Sequence, residues 1–535
     1  MTDMIVESTS AGKNGDLNSI AEANARIAER YDQMPYISHP FPQSHPARLG
    51  AVAHLFGLQA PPVETARVLE IGCASGGNII PLAASYPDAT FVGLELSPVQ
   101  ASAGAARVQR LGLANVDIRH GDVVDYNPGN GEFDYVLCHG VYSWASPPAR
   151  AAIMRVIASG LAATGIAYVS YNVLPGWRHK QGLRDALMSR VHGIRDTALQ
   201  IAYTREFLGA LKGWNGPDTA YHRDLRETAA HAMTIGDDYL AHEFLENFNE
   251  PQTFMQFAEE GGAANLAFLG ECEMWMQMAE NFDAPTRQLL QTLSNNQILP
   301  MEQSIDILTG RTFRQTLLVH GAQAAGIKRT LDPARLAGLH FMGPLQPAAM
   351  ANPGFAWTFT GASGRQISTN NHVAQLALDF LARRQPGSAS YNELLGLAAT
   401  REDRIAIADA LFKSITAGVI DARSAPVAAA TGLSERPFAP AWCRSDAEAG
   451  DRSIANLRHE SVGLDIVGQT ILPLLDGAHD WQDLCVALLD KVKVGELRFS
   501  RNDVEVSEPQ QVRSCVDDHV ARTLAQFRAR ALLAA

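Results

Sequence analysis

Between residues 68 and 171 the chain alternates short apolar runs with longer helical stretches, and no other feature limits its fold as tightly. The runs are Val68-Leu69-Glu70-Ile71, Thr90-Phe91-Val92-Gly93-Leu94, Val116-Asp117-Ile118-Arg119, Phe133-Asp134-Tyr135-Val136-Leu137 and Ile166-Ala167-Tyr168-Val169-Ser170-Tyr171. Pro98 to Leu111 and Pro148 to Leu161 read as helices between them. Parallel strands need long crossovers, so this alternation predicts an α/β fold with a parallel sheet covered on both faces. The uncharged run from Val156 to Trp177 is broken by Gly160, Gly165, Asn172 and Pro175. It reads as a helix end, a turn and a buried strand, not as a membrane span.

At 535 residues the chain is too long for a single core, and roughly 100 to 200 residues per domain gives three or four. Residues 1–20 are expected to be a disordered tail without a signal-peptide pattern, and a first domain is expected over 21–190. Past about residue 180 the alternation stops, and the chain to about residue 300 reads as helical. Thr312-Phe313-Arg314-Gln315-Thr316-Leu317-Leu318-Val319 looks like one more strand, so a segment over 301–320 is expected to return to the sheet and make 191–300 a helical insertion. Two small helical modules follow, at 345–435 and 436–535, and both are expected to be winged-helix-like α+β domains.

The sharpest local signal is Glu70-Ile71-Gly72-Cys73-Ala74-Ser75-Gly76-Gly77-Asn78, a strand running into a glycine turn and a helix. Glycines allow a backbone to approach a ligand closely. Glu70 beside the loop would repel a pyrophosphate but suits a cationic aminoacyl or sulfonium ligand, and the spacing departs from the dinucleotide pattern. Glu95 ends the second strand, where it is placed to accept from two ribose hydroxyls, and Gly121-Asp122 follows the third, where it would meet an adenine amino group.

With these residues the sequence resembles the class I S-adenosylmethionine-dependent methyltransferases. A narrower resemblance rests on Tyr31-Asp32-Gln33-Met34-Pro35-Tyr36, His139-Gly140-Val141-Tyr142-Ser143-Trp144, Ser170-Tyr171-Asn172-Val173-Leu174-Pro175-Gly176-Trp177, His242-Glu243-Phe244-Leu245 and Phe313-Arg314-Gln315-Thr316. These stretches are similar to bacterial methyltransferases with a methyltransferase regulatory domain, of which the best characterised are protein lysine methyltransferases. The resemblance implies a Rossmann-like seven-stranded catalytic domain, S-adenosyl-L-methionine as cofactor, a regulatory or dimerising helical insertion, a homodimer and a protein substrate. It implies that Tyr31, Glu70, Gly72, Cys73, Ala74, Gly76, Asn78, Glu95, Leu96, Gly121, Asp122 and His139 hold the cofactor. Tyr142 and Trp144 are expected as substrate walls, with Tyr36, Tyr171 and the N-terminal arm closing the pocket and Asp32 or His139 taking the proton.

The acceptor class stays open between protein lysine and a small molecule or glycan intermediate, and a non-catalytic scaffold with a degenerate methyltransferase domain is the reading from another class. A formal charge of -13 disfavours a nucleic-acid partner. Six scattered cysteines without a CxxC pair favour a reduced, cytoplasmic setting. His242-Glu243 lacks the second histidine of a zinc-protease helix, and no metal site is expected.

Overall fold

The computed structural model describes residues 38–501 and 504–535. The expected tail, and Tyr31, Asp32 and Tyr36 of the arm, lie outside the described residues. Helix α1 (Pro46–Leu55) starts with proline in its first turn, where a missing N–H costs nothing, and the His45 side chain accepts from the Ala47 N–H.

The sheet is built from β1 (Arg67–Ile71), β2 (Thr90–Glu95), β3 (Val116–His120), β4 (Phe133–Cys138), β5 (Leu161–Asn172), β6 (Leu266–Glu271) and β7 (Phe313–His320). Its order is β3-β2-β1-β4-β5-β7-β6. The first five strands pair in parallel, whereas β7 runs antiparallel to both β5 and β6. Helices α2 (Ile79–Ser85), α3 (Pro98–Leu111) and α4 (Pro147–Gly160) make the crossovers. The start of α3 is fixed locally by Pro98 and by Ser97 accepting from the Gln100 N–H, and its end by Gly112 in the left-handed conformation. The apolar run after Val156 is the end of α4 passing directly into β5. Among the described residues no helix is long and apolar enough to cross a membrane.

The insertion opens with α5 (Arg178–Arg190), α6 (Thr197–Gly213), α7 (Ala220–Ala232) and α8 (Asp237–Phe244), which enclose a core of their own around Leu183, Leu187, Leu208, Ala229 and Phe244. Helix α9 (Phe254–Ala263) then leads into β6, so the stretch read as helical to residue 300 contains a sheet strand. The break falls at Asn265, held at φ +59°. A short run such as Leu266-Ala267-Phe268-Leu269, buried on both faces, has no period that separates strand from helix. Helices α10 (Ala284–Ser294) and α11 (Ile298–Thr309) return the chain to β7.

Arg314 on β7 latches this antiparallel edge. Its fully buried guanidinium donates to Glu271 at 2.6 Å, Asp306 at 2.8 Å and Glu302 at 3.0 Å, and lies 4.2 Å from the centre of the Phe254 ring. Buried charges persist only when paired and hydrogen-bonded in this way.

In the region expected as a middle domain, the strand His340–Met342, just ahead of residue 345, pairs with Ala389–Ser390 and Asp421–Arg423. Its core, including Phe341 and Leu378, is continuous with the face of the main sheet under α1. The C-terminal domain has a separate core around Ile454, Leu484, Leu488 and Val516 and carries a hairpin of Ser453–Ala455 with Ser461–Gly463. It docks on α3 through Asp446, only 2% exposed, which accepts from Arg107 at 3.0 and 2.5 Å and from Arg110 at 3.0 Å.

Candidate active site

Ligands of open α/β sheets bind outside the carboxyl ends of the strands. A cavity of about 590 Å³ opens there, across β1, β2, β3, β4 and β5. After β1 the chain turns at Gly72, φ +73°, and at Ala74, φ +50°. The Gly72 and Cys73 N–H groups donate to the Leu94 carbonyl, and the Ala74 N–H donates to Glu95 Oε2 at 2.8 Å. Glu95 Oε1 accepts from the Ser97 N–H at 2.8 Å, so one carboxylate ties the glycine turn to the start of α3. Burial raises its pKa, and these backbone bonds oppose the shift.

Glu70 is 2% exposed. Its Oε1 accepts from Asn78 Nδ2 at 2.8 Å, while its buried Oε2 has no hydrogen-bond partner among the described residues. Burial pushes this carboxyl up to about 8, against the Asn78 bond and with a smaller push from Glu95. Glu70 lines the cavity, and an unpaired buried carboxylate oxygen there invites a cationic donor. Asp122, beyond β3, completes a line of three acidic residues on successive strand ends.

Of the residues singled out in the sequence, Glu70, Gly72, Cys73, Ala74, Asn78, Glu95, Leu96, Gly121, Asp122, His139 and Trp144 line this one cavity. Gly76 does not. At φ +77° it makes the turn into α2, and a Cβ there would lie 2.5 Å from Ile80 Cδ1, so its smallness serves packing beneath the loop. Its neighbour Gly77 makes room for the arm, since a Cβ would meet the Ser38 backbone at 2.4 Å.

Tyr142 is also not a wall. It is buried against Tyr171 and Phe257, its hydroxyl bonds Glu260, and Tyr171 stacks on Phe257 with ring centres 4.0 Å apart. The 3-10 turn of Tyr142–Trp144 sends these two aromatics different ways, and only Trp144 reaches the cavity. His139 does line the cavity, stacked on Phe41 at 3.7 Å and with Nδ1 2.8 Å from the Tyr168 hydroxyl. Desolvation lowers its pKa to about 3, which makes it a neutral ring and a poor proton acceptor near neutral pH.

Sequence reading undervalued the opposite wall. Trp177 stands edge-on to Trp144 with ring centres 6.2 Å apart. Lys180 Nζ lies 4.4 Å from the centre of the Trp177 ring and donates to Glu243 Oε1 at 2.9 Å. Glu243, with His242 and Tyr239, comes from α8 at the far end of the insertion. At Gly176 a Cβ would fall 2.1 Å from the Arg311 carbonyl, so the Pro175-Gly176-Trp177 turn is pinned against the chain entering β7.

Three family models match the chain: "Methyltransferase domain" over residues 68–165, "Predicted methyltransferase regulatory domain" over 236–320, and "PKMT, C-terminal winged helix domain" over 435–532. An uncharacterized protein of Rickettsia prowazekii is 29% identical over 539 residues, spanning 97% of this chain and 96% of the relative. A second from the same organism is 34% identical over 231 residues, covering 43% of this chain and 92% of the relative. The structure of PKMT2 from Rickettsia typhi in complex with AdoHcy superposes with a TM-score of 0.81 at 28% identity, covering 93% of this chain and all of that one.

Proposed function

Because this chain belongs to the class I S-adenosylmethionine-dependent methyltransferases, in the group that joins a regulatory domain and a winged-helix domain to the catalytic sheet, we propose that it methylates lysine side chains of a protein. S-Adenosylmethionine is its methyl donor, and the chain is an enzyme, not a degenerate scaffold. The donor end of the cavity fits that molecule: Glu70 Oε2 would take the amino group, Glu95 the ribose hydroxyls and Asp122 the adenine amino group. When bound, the donor supplies an electrophilic methyl group on a positively charged sulfur.

The observation that supports lysine as acceptor is Lys180. Its alkylammonium rests against Trp177 and Glu243 on the wall of the same cavity, so that end already suits the chemistry an acceptor lysine would bring. A lysine must lose its proton before it attacks, at a cost of about 4.6 kcal/mol at pH 7 from a reference pKa near 10.4. The Trp144 and Trp177 walls reduce that cost by desolvating the ammonium, and Glu243 is the proposed recipient of the proton. With nucleophile and methyl held in line, positioning supplies most of the rate. The insertion contributes this wall through α8, so we assign it acceptor binding beside the regulation or dimerisation that the family pattern implies.

The test is incubation of the full chain with methyl-labelled S-adenosylmethionine and either a desalted bacterial protein extract or its small-molecule filtrate. Label on lysine Nζ, located by mass spectrometry, is the expected result. Label confined to the filtrate would transfer the enzyme to small-molecule acceptors.

A further inference from the structure

Asn78 precedes α2 and is 2% exposed. Its Nδ2 donates to Glu70 Oε1 at 2.8 Å and to Ser44 Oγ at 3.1 Å. Its Oδ1 accepts from the Phe41 N–H at 2.8 Å and, at 2.7 Å, from Nε2 of His459 in the C-terminal domain. The Phe41 N–H can only donate, which identifies the oxygen of the amide. That oxygen can only accept, so His459 carries its hydrogen on Nε2.

His459 is held rigidly. It sits 3% exposed at the tip of the hairpin between Ser453–Ala455 and Ser461–Gly463, at φ +64°. The turn is tied by Asn456, whose Oδ1 accepts from the Arg458 and Glu460 N–H groups at 2.8 Å each and whose Nδ2 donates to the Arg530 carbonyl. The link therefore runs from a fixed turn in one domain, through one amide, to the carboxylate at the donor end of the cavity in another.

We propose that His459 is a positioning residue for cofactor binding, acting through Asn78 to hold the Glu70 carboxylate with Oε2 toward the cavity, so that the C-terminal domain is part of the cofactor site. Removing the imidazole takes away one of the bonds that fix the Asn78 amide, which then turns or drifts and no longer restrains Glu70. The inference rests on the assignment of Glu70 to the cofactor.

The experiment is calorimetric titration of the full-length protein with S-adenosylhomocysteine, comparing wild type with His459→Ala, His459→Gln, Asp446→Asn and Glu70→Gln, with melting temperature followed for each. His459→Ala is expected to weaken binding about tenfold, the loss of one buried hydrogen bond to a polar network. His459→Gln, which restores an N–H donor, is expected to recover most of it. The pH profile of binding in His459→Ala should move to higher pH, because Glu70 without its Asn78 bond ionises later. In turnover, KM for the methyl donor should rise while kcat changes little. Should the alanine variant not fold, His459→Asn, too short to reach Asn78, gives the same comparison against His459→Gln. Wild-type affinity in His459→Ala with weakened binding in Glu70→Gln would overturn the link and leave the Glu70 assignment standing. Wild-type affinity in both would remove Glu70 from the site and the link with it. Equal loss in His459→Ala, His459→Gln and Asp446→Asn, with an unmoved pH profile, would reduce His459 to a docking contact.

Discussion

The two ends of the cavity are built in opposite ways. The proposed donor end takes Glu70, Glu95 and Asp122 from the ends of three neighbouring strands, β1 and β2 each followed by a crossover helix and β3 by a loop. The proposed acceptor end takes Trp144 from the turn after β4, Trp177 and Lys180 from the segment after β5, and Glu243 from the last helix of the insertion's core. Sheet topology brings the first set to one edge, whereas the second set is completed only when the insertion packs Glu243 against Lys180.

The strongest way to break the comparison is Glu95→Ala. Two backbone N–H groups lose their acceptor and the proposed ribose contacts go with them, so S-adenosylhomocysteine affinity should fall by on the order of 3 kcal/mol, more than about a hundredfold, in calorimetry. A loss under about fivefold would take Glu95 out of the donor end. The next effect is on pH. Glu70 ionises in the folded protein only as the pH nears 8, and an ammonium favours its charged form, so donor affinity should rise with pH, at most about tenfold per unit, and level off above 8. Binding at pH 7 should release a proton, measurable by titration in buffers of different ionisation enthalpy. The same raised carboxyl makes the ligand-free fold lose stability as pH climbs from its ordinary value near 4.5 to about 8, because the unfolded chain gives up that proton first.

Trp177→Ala addresses the other end. Losing a cation–π wall worth about 0.5 to 2 kcal/mol should lower kcat/KM for a lysine acceptor roughly 2- to 30-fold, with S-adenosylhomocysteine affinity held within about twofold. Equal loss of both would erase the distinction between the ends. The smallest effect is expected from Tyr142→Phe, which removes the bond to Glu260 but keeps the ring against Phe257: stability falls by about 1 kcal/mol in denaturant unfolding, and turnover stays within about twofold. A large fall in turnover at unchanged stability would return Tyr142 to the acceptor wall.

The same division explains what could be read from the sequence. Glu70, Glu95 and Asp122 were legible because the strand period and the crossover spacing put them at one sheet edge before any tertiary contact is known. Trp177, Lys180 and Glu243 carry no such spacing: residues 180 and 243 meet only because α5 and α8 pack in one helical core. Tyr142 and Trp144, two residues apart in a 3-10 turn, could not be told apart by position. Strand β6 was hidden by its shortness and by burial on both faces. His459 stands 381 residues from Asn78, beyond the reach of any local pattern.

Asp446, wedged against Arg107 and Arg110, bears on how such a protein can be taken apart. Taken alone, the catalytic sheet looks like a cassette to be cut out and grafted to another tail. An excised sheet would carry two arginines stripped of a buried counter-ion and an asparagine short of a donor, so a working chimera has to import both a carboxylate facing α3 and an N–H facing Asn78.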